Sequence, residues 1–337
     1  MQAVMPAVSF WLELRSHKVM MVSENSKEVE DKLSTLVYRC TPGSSEHAQV
    51  LMIMGSHYML QGMAGQAGEN LRAAAEVADG VGDLHVSGAA RSNLGVVLRR
   101  AGELEEAEQV TQRAIEDLRR CRNWNECGGA MFSLAQLLQH HGRHEEALAL
   151  SQEIVEIART HNHQRLLAFG HSMVGECSHR LKDLDTARSS HEEALDIARR
   201  LGITNVETAS KVNLGKILLA EERWDEAVEN LSHHTKPYTI TRGGMLLAQA
   251  LYGSKRHSEA LDVLLKSQAL AKKHTFKVLG FYIQMQLTHI HVALGDAEKA
   301  TRSLQAAEAT LHDVADPDAA VELQAVRDSL HRLSETT

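Results

Sequence analysis

Alanine recurs at Ala67, Ala107, Ala147, Ala187 and Ala227, one every 40 residues. The small residues Gly55, Gly95, Ala135, Gly175 and Gly215 keep the same interval, as do the glycines Gly62, Gly102 and Gly142 before Lys182 and Glu222 depart. Three registers sharing one period mean one supersecondary unit copied along the chain. Each unit reads as a helix pair. Its first half places Leu94, Gly95 and Leu98, or Leu214, Gly215 and Leu218, on one face of a 3.6-residue period. A small residue there lets a partner helix come close. Gly102 then stops the helix, because glycine enters the left-handed region cheaply. The second helix opens with acidic residues, as in "ELEEA" at 103–107 and "RHEEA" at 143–147, which suit the positive end of its dipole.

Composition agrees with helices. Apolar residues make up 43% of the 337-residue chain, enough for a core, while aromatics are 4% and prolines number four. The fold class expected is all-α. The small residue after leucine, the turn glycine and the alanine of the acidic step resemble the tetratricopeptide repeat family in a 40-residue form. That resemblance implies a right-handed superhelical solenoid of antiparallel helix hairpins, with first helices lining the concave surface. It is clear over 45–235 and continues at Ala260 and Ala300 within 236–316. Residues 1–44 are expected to form an N-terminal hairpin, either a worn repeat or a cap; Trp11 and Leu14 fit, but Arg15 replaces the small residue. Residues 317–337 read as a closing helix with a polar outer face and a tail. The step from Ala227 to Ala260 is 33. Lys236-Pro237 is expected to end a shortened helix there. This leaves an irregular junction near 233–241, a plain loop or a hinge.

If Leu94 and Leu98 pack inside the hairpin, Ser92, Val96, Arg99 and Arg100 form the neighbouring stripe. The 40-residue step carries it to Gln136, Gln139 and His140, then to Glu176, His179 and Arg180, then to Lys216. The same stripe gives Ser56, Met59 and Leu60 upstream, and Gln249, Tyr252 and His289 downstream. The result is a mostly basic band in which Glu176 is the one acid. Arginine grips carboxylates through paired donors, so a partner bearing acidic and apolar groups is expected. The alternative is that Arg99 or Arg100 pairs with Glu103, Glu105 or a neighbouring repeat. Asn93 and Asn213 precede the core leucine of their helices. In peptide-binding members of the resembled family, first-helix asparagines clamp a bound backbone; an amide bonded to the adjacent helix is the other reading.

Other chemistries find little support. A net charge of −8 with no basic run argues against nucleic acid. No apolar run approaches the ~20 residues of a membrane helix. Four cysteines without a C-x-x-C pair fit a reducing cytoplasm, and Cys121 and Cys127 are expected to be small buried hydrophobes. The histidines of "HHGRH" at 140–144, "HNH" at 161–163 and "HIH" at 289–291 have no metal-site spacing. No metal, cofactor or catalytic residue is therefore expected, though charging of several imidazoles predicts sensitivity to mild acid. The first functional reading is a non-enzymatic scaffold or adaptor binding a partner's peptide segment in its groove. The alternative is a peptide- or ligand-sensing domain of a bacterial-type regulator. An enzymatic site built from His140, Glu176 and His179 has no established spacing behind it.

Overall fold

The structure, a computed structural model, describes residues 26–232, 237–314 and 319–336. The expectations for Trp11, Leu14 and Arg15, and for junction residues 233–236, lie outside the described residues. Among the described residues there are sixteen α-helices and one 3-10 turn, with no strand. The chain divides into two compact units at Lys182 and Asp183.

The first unit contains α1 (Ser26–Arg39), α2 (Ser45–Leu60), α3 (Ala64–Val81), α4 (Leu84–Ala101), α5 (Leu104–Arg120), α6 (Trp124–His140), α7 (His144–Thr160) and α8 (Gln164–Arg180). The second contains α9 (Leu184–Leu201), α10 (Thr204–Ala220), α11 (Trp224–Leu231), α12 (Pro237–Gly253), α13 (His257–Lys273), α14 (Lys277–Ala293), α15 (Ala297–Glu308), the 3-10 turn Leu311–Asp313 and α16 (Ala319–Thr336).

The turns explain why the pattern repeats. Gly102 has φ +86° and Gly142 φ +73°, and the amide of the next residue reaches back five residues: Glu103 N–H to the Leu98 carbonyl at 3.0 Å, Arg143 N–H to that of Leu138 at 2.9 Å. This Schellman closure satisfies carbonyls that the helix end would leave bare. It recurs at twice the frequency of the sequence repeat. From residue 62 to residue 222, every twentieth position has positive φ, and after the irregular step the beat resumes at Lys255, Thr275 and Gly295. Lys182 and Glu222, where glycine departs, still take φ +65° and +57°. Residue type changes there while geometry does not. Side-chain caps set the next helix: Asp83 accepts from Val86 N–H, Asn123 from Glu126 N–H, and Asp183 from Thr186 N–H.

Packing follows the two small-residue registers. Ala67, Ala107, Ala147, Ala187, Ala227, Ala260 and Ala300 are all fully buried. Gly95 faces α5 so closely that a Cβ there would stand 2.1 Å from Thr111 Oγ1, and one on Gly215 would stand 2.6 Å from Leu231 Cδ2. Both partner side chains lie sixteen residues on and are buried. Within each unit the first helices also touch one another in order: α2, α4, α6 and α8 in the first, and α10, α12 and α14, then α16, in the second. Second helices of neighbouring hairpins pack together less. The first helices therefore lie on the inner side of each unit's curve. Tyr58 of α2 donates to Glu30 Oε1 of α1 at 2.7 Å, which lifts the phenol pKa to about 12 and ties α1 to the first hairpin.

Two expectations need correction. Helix α11 is short, as expected, but Pro237 opens α12 rather than closing the helix before it. Proline suits a first turn because the helix needs no N–H there. Cys121 is exposed just past the end of α5, whereas Cys127 is buried; only the second lies on the packed face of its helix.

Candidate functional site

The inner face of the first unit holds a cavity of about 490 Å³ that spans four first helices. Helix α2 supplies Met52, Ile53 and Ser56; α4 supplies Ala89, Ser92, Asn93 and Val96. From α6 come Asn125, Glu126, Gly129 and Ser133, and from α8 come Arg165, Leu166 and Phe169. The wall thus alternates short hydroxyls and amides with apolar side chains. Asn93 Nδ2 donates to Ser56 Oγ at 3.0 Å, joining α4 to α2 and leaving its carbonyl oxygen as a further acceptor. The guanidinium of Arg165 lies 5.7 Å from the centre of the Phe169 ring, and Phe132 meets that ring edge-on at 5.5 Å. Glu126 Oε2 lies 3.2 Å from His85 Nε2.

Of the residues expected to bind a partner, Asn93 and Val96 line this cavity. The others of the first unit lie one or two turns further toward the C-terminal ends of the same helices. Gln136, Gln139, Glu176 and His179 are partly buried, and His140, Arg100 and Arg180 are exposed. Gln139 Nε2 donates to Cys177 Sγ at 3.0 Å, linking α6 to α8. Arg99 is partly buried, and its Nε is shielded without a hydrogen-bond partner. Desolvation, with Arg100 adjacent, holds its pKa below the usual arginine value.

Arg165, Phe169, Asn125 and Glu126 were missed in the sequence. The signal was available: positions 85, 125 and 165 share the repeat register, as do 89, 129 and 169, on the stripe of Ser92 and Val96 but nearer the helix starts. Following the arginines drew the stripe toward the opposite end.

In the second unit, Asn213 Oδ1 accepts from Lys216 Nζ at 3.1 Å within α10. Tyr252 lines a second cavity, of about 480 Å³, with Ala248 and Gln249 of α12. Tyr282, Gln286, His289 and Ile290 of α14 and Glu322 of α16 complete it. Among the described residues no three His, Cys, Asp or Glu side chains are grouped to hold a metal ion, and no helix is long and apolar enough to cross a membrane.

Inward-facing first helices and a cavity running across successive hairpins define a helical-repeat protein of the tetratricopeptide type. Residues 48–242 match the model of the MalT-like TPR region, and the chain belongs to that family. No protein of curated function matches it significantly in sequence. Among solved structures it is similar to the apo form of RapI, with 14% identity and a TM-score of 0.67 over 90% of this chain and 85% of that one. It is also similar to the apo form of the quorum sensor NprR from B. thuringiensis, with 14% identity and a TM-score of 0.66 over 90% and 87%. A Rap protein complexed with competence and sporulation factor gives 15% identity and a TM-score of 0.57 over 97% and 88%.

Proposed function

We propose that the chain is a non-enzymatic interaction module that holds a peptide segment of a partner along the inner face of its first unit. The cavity across α2, α4, α6 and α8 carries this reading. An extended segment exposes backbone donors and acceptors every few ångströms, and Ser56, Ser92, Asn93, Asn125 and Ser133 offer matching groups. Met52, Val96 and Phe169 offer apolar anchorage between them. An acidic partner is supported by Arg99, whose shielded Nε lacks a partner, with Arg100, Arg165 and Arg180 on the same helices. A carboxylate there gains paired charge-assisted hydrogen bonds.

Random-peptide display against the full chain tests both parts. Peptides are expected to be enriched, to carry Asp or Glu, and to be lost on Asn93→Ala combined with Val96→Arg. Enrichment that survives this double change would remove the groove from the reading, and enriched peptides free of acids would remove the arginines.

A second reading, a sensing domain, is favoured by the likeness to the quorum sensor NprR and to a Rap protein holding competence and sporulation factor. Small-angle scattering with an enriched peptide separates the two: compaction on binding supports sensing, and an unchanged radius of gyration supports a static scaffold.

A further inference from the structure

The cavity of the second unit has a different chemistry from that of the first. Among the described residues its wall contains no lysine or arginine, and the one carboxylate there is that of Glu322. Two phenol rings, Tyr252 and Tyr282, line it. Their orientations are set by neighbours: Tyr252 lies 4.9 Å from the His257 ring, and Tyr282 meets Phe281 edge-on at 5.1 Å. The amides of Gln249 and Gln286 also line it.

We infer that this cavity binds an organic cation bearing N–H donors, a primary ammonium or a guanidinium. Phenol faces and a carboxylate attract positive charge. Gln249 and Gln286 add amide oxygens to the wall, which accept from an ammonium or guanidinium N–H and not from a quaternary ammonium. A carboxylate ligand would meet Glu322 with no lysine or arginine among the lining residues to offset it, and an apolar ligand would leave the polar side chains of the wall without partners. His289 stands at the rim, open to water on one side and crowded by protein on the others. That crowding lowers its pKa, so it stays neutral near pH 7 and adds no competing charge. Cation binding here is independent of the groove in the first unit, and failure of either leaves the other measurable.

Calorimetric titration of the full chain with n-butylguanidinium and n-butylammonium reads the site directly. Saturable binding of both is expected, with tetramethylammonium at least ~5-fold weaker and butyrate without effect. Glu322→Gln is expected to weaken the cations by about 10-fold and Tyr252→Ala by roughly 5-fold. Both side chains are exposed, so the variants should keep the parent Tm; the imidazole signals of His289, followed by NMR, locate the site in the unchanged protein. Comparing n-butylguanidinium with the capped tripeptide Gly-Arg-Gly distinguishes sources. Tighter tripeptide binding assigns the site to a basic side chain of a protein segment, and equal binding assigns it to a small free cation. Absence of saturable binding, equal binding of butyrate, a silent His289, or affinity unchanged in both variants would overturn the assignment.

Discussion

The two cavities are built from equivalent helices and differ in charge. In the first unit the wall is hydroxyl- and amide-rich, holds Arg165 and Glu126, and continues along the same helices to Arg99, Arg100 and Arg180. In the second it is aromatic and acceptor-rich, with Glu322 as the one carboxylate among the described residues that line it. One scaffold thus presents inner faces of different charge, because the polar side chains on those faces take little part in the packing that holds the helices together. Alanine, glycine and leucine occupy the packed registers in both units. Side-chain chemistry varies on the stripe between them.

The largest expected effect bears on this charge difference. Changing Arg99, Arg100 and Arg180 together to Glu should weaken an acidic peptide selected on the first unit by at least ~100-fold, since each charge-assisted hydrogen bond contributes about 1.5–3 kcal/mol. The same variant should bind n-butylguanidinium as the parent does. Titration of both ligands against one variant checks this, and a parallel loss would dissolve the distinction between the cavities.

Next comes packing, where the units should behave alike. Gly95→Leu in the first unit and Gly215→Leu in the second both drive a side chain into an occupied space. Each should cost about 3 kcal/mol or slightly more, read by urea unfolding, because overpacking a close helix contact costs of order 1–3 kcal/mol. A much smaller loss at Gly215 would mean that the hairpin of short α11 yields where that of α5 does not.

A smaller and opposite effect is expected at the turns. Arg122→Gly in the first unit and Lys255→Gly in the second replace residues at φ +57° and +60°. Each should stabilise by about 1 kcal/mol, because a left-handed conformation costs a side-chain-bearing residue roughly 1–2 kcal/mol, while glycine adds some entropy to the unfolded chain. Thermal melts of the two variants should rise together.

The smallest effect belongs to the second unit alone. Burial lowers the pKa of His291, with Asp296 opposing, and that of His289. Their unfolded values are near 6.5. The unfolded chain therefore takes up more protons as pH falls through that value. Stability contributed by the neutral rings is complete above about pH 7 and declines below the unfolded pKa until the folded pKa is passed. Urea unfolding between pH 7.5 and 5.5 (about the span of that titration) should show the loss in the parent and a smaller one in His291→Gln.

Much of this was legible in the residues. The fully buried alanines, the close approach at Gly95 and the stop at Gly102 all sit where a 40-residue period puts them, since such contacts repeat locally with the chain. The 20-residue beat of left-handed turns was harder to see, because Arg122, Asn162, Lys182 and Glu222 take that conformation without glycine. Pro237 was read as a stop, and it opens a helix; proline's fixed φ serves both roles, and only the neighbouring helix length separates them. Asn93, Val96, Arg165 and Phe169 all line the cavity, but the spacing pointed only to the first two, because the charged residues of the stripe cluster at the other end of the helices.

What the chain determined unaided was periodic: helix pairs, their turns and their packed faces depend on contacts within about one repeat, so residue spacing alone encodes them. Which turn of each first helix reaches a cavity was decided only in three dimensions. Ser56 and Arg165, or Tyr252 and Glu322, converge because successive hairpins curve around one side, and that curvature is a sum over many helix contacts that no single register records.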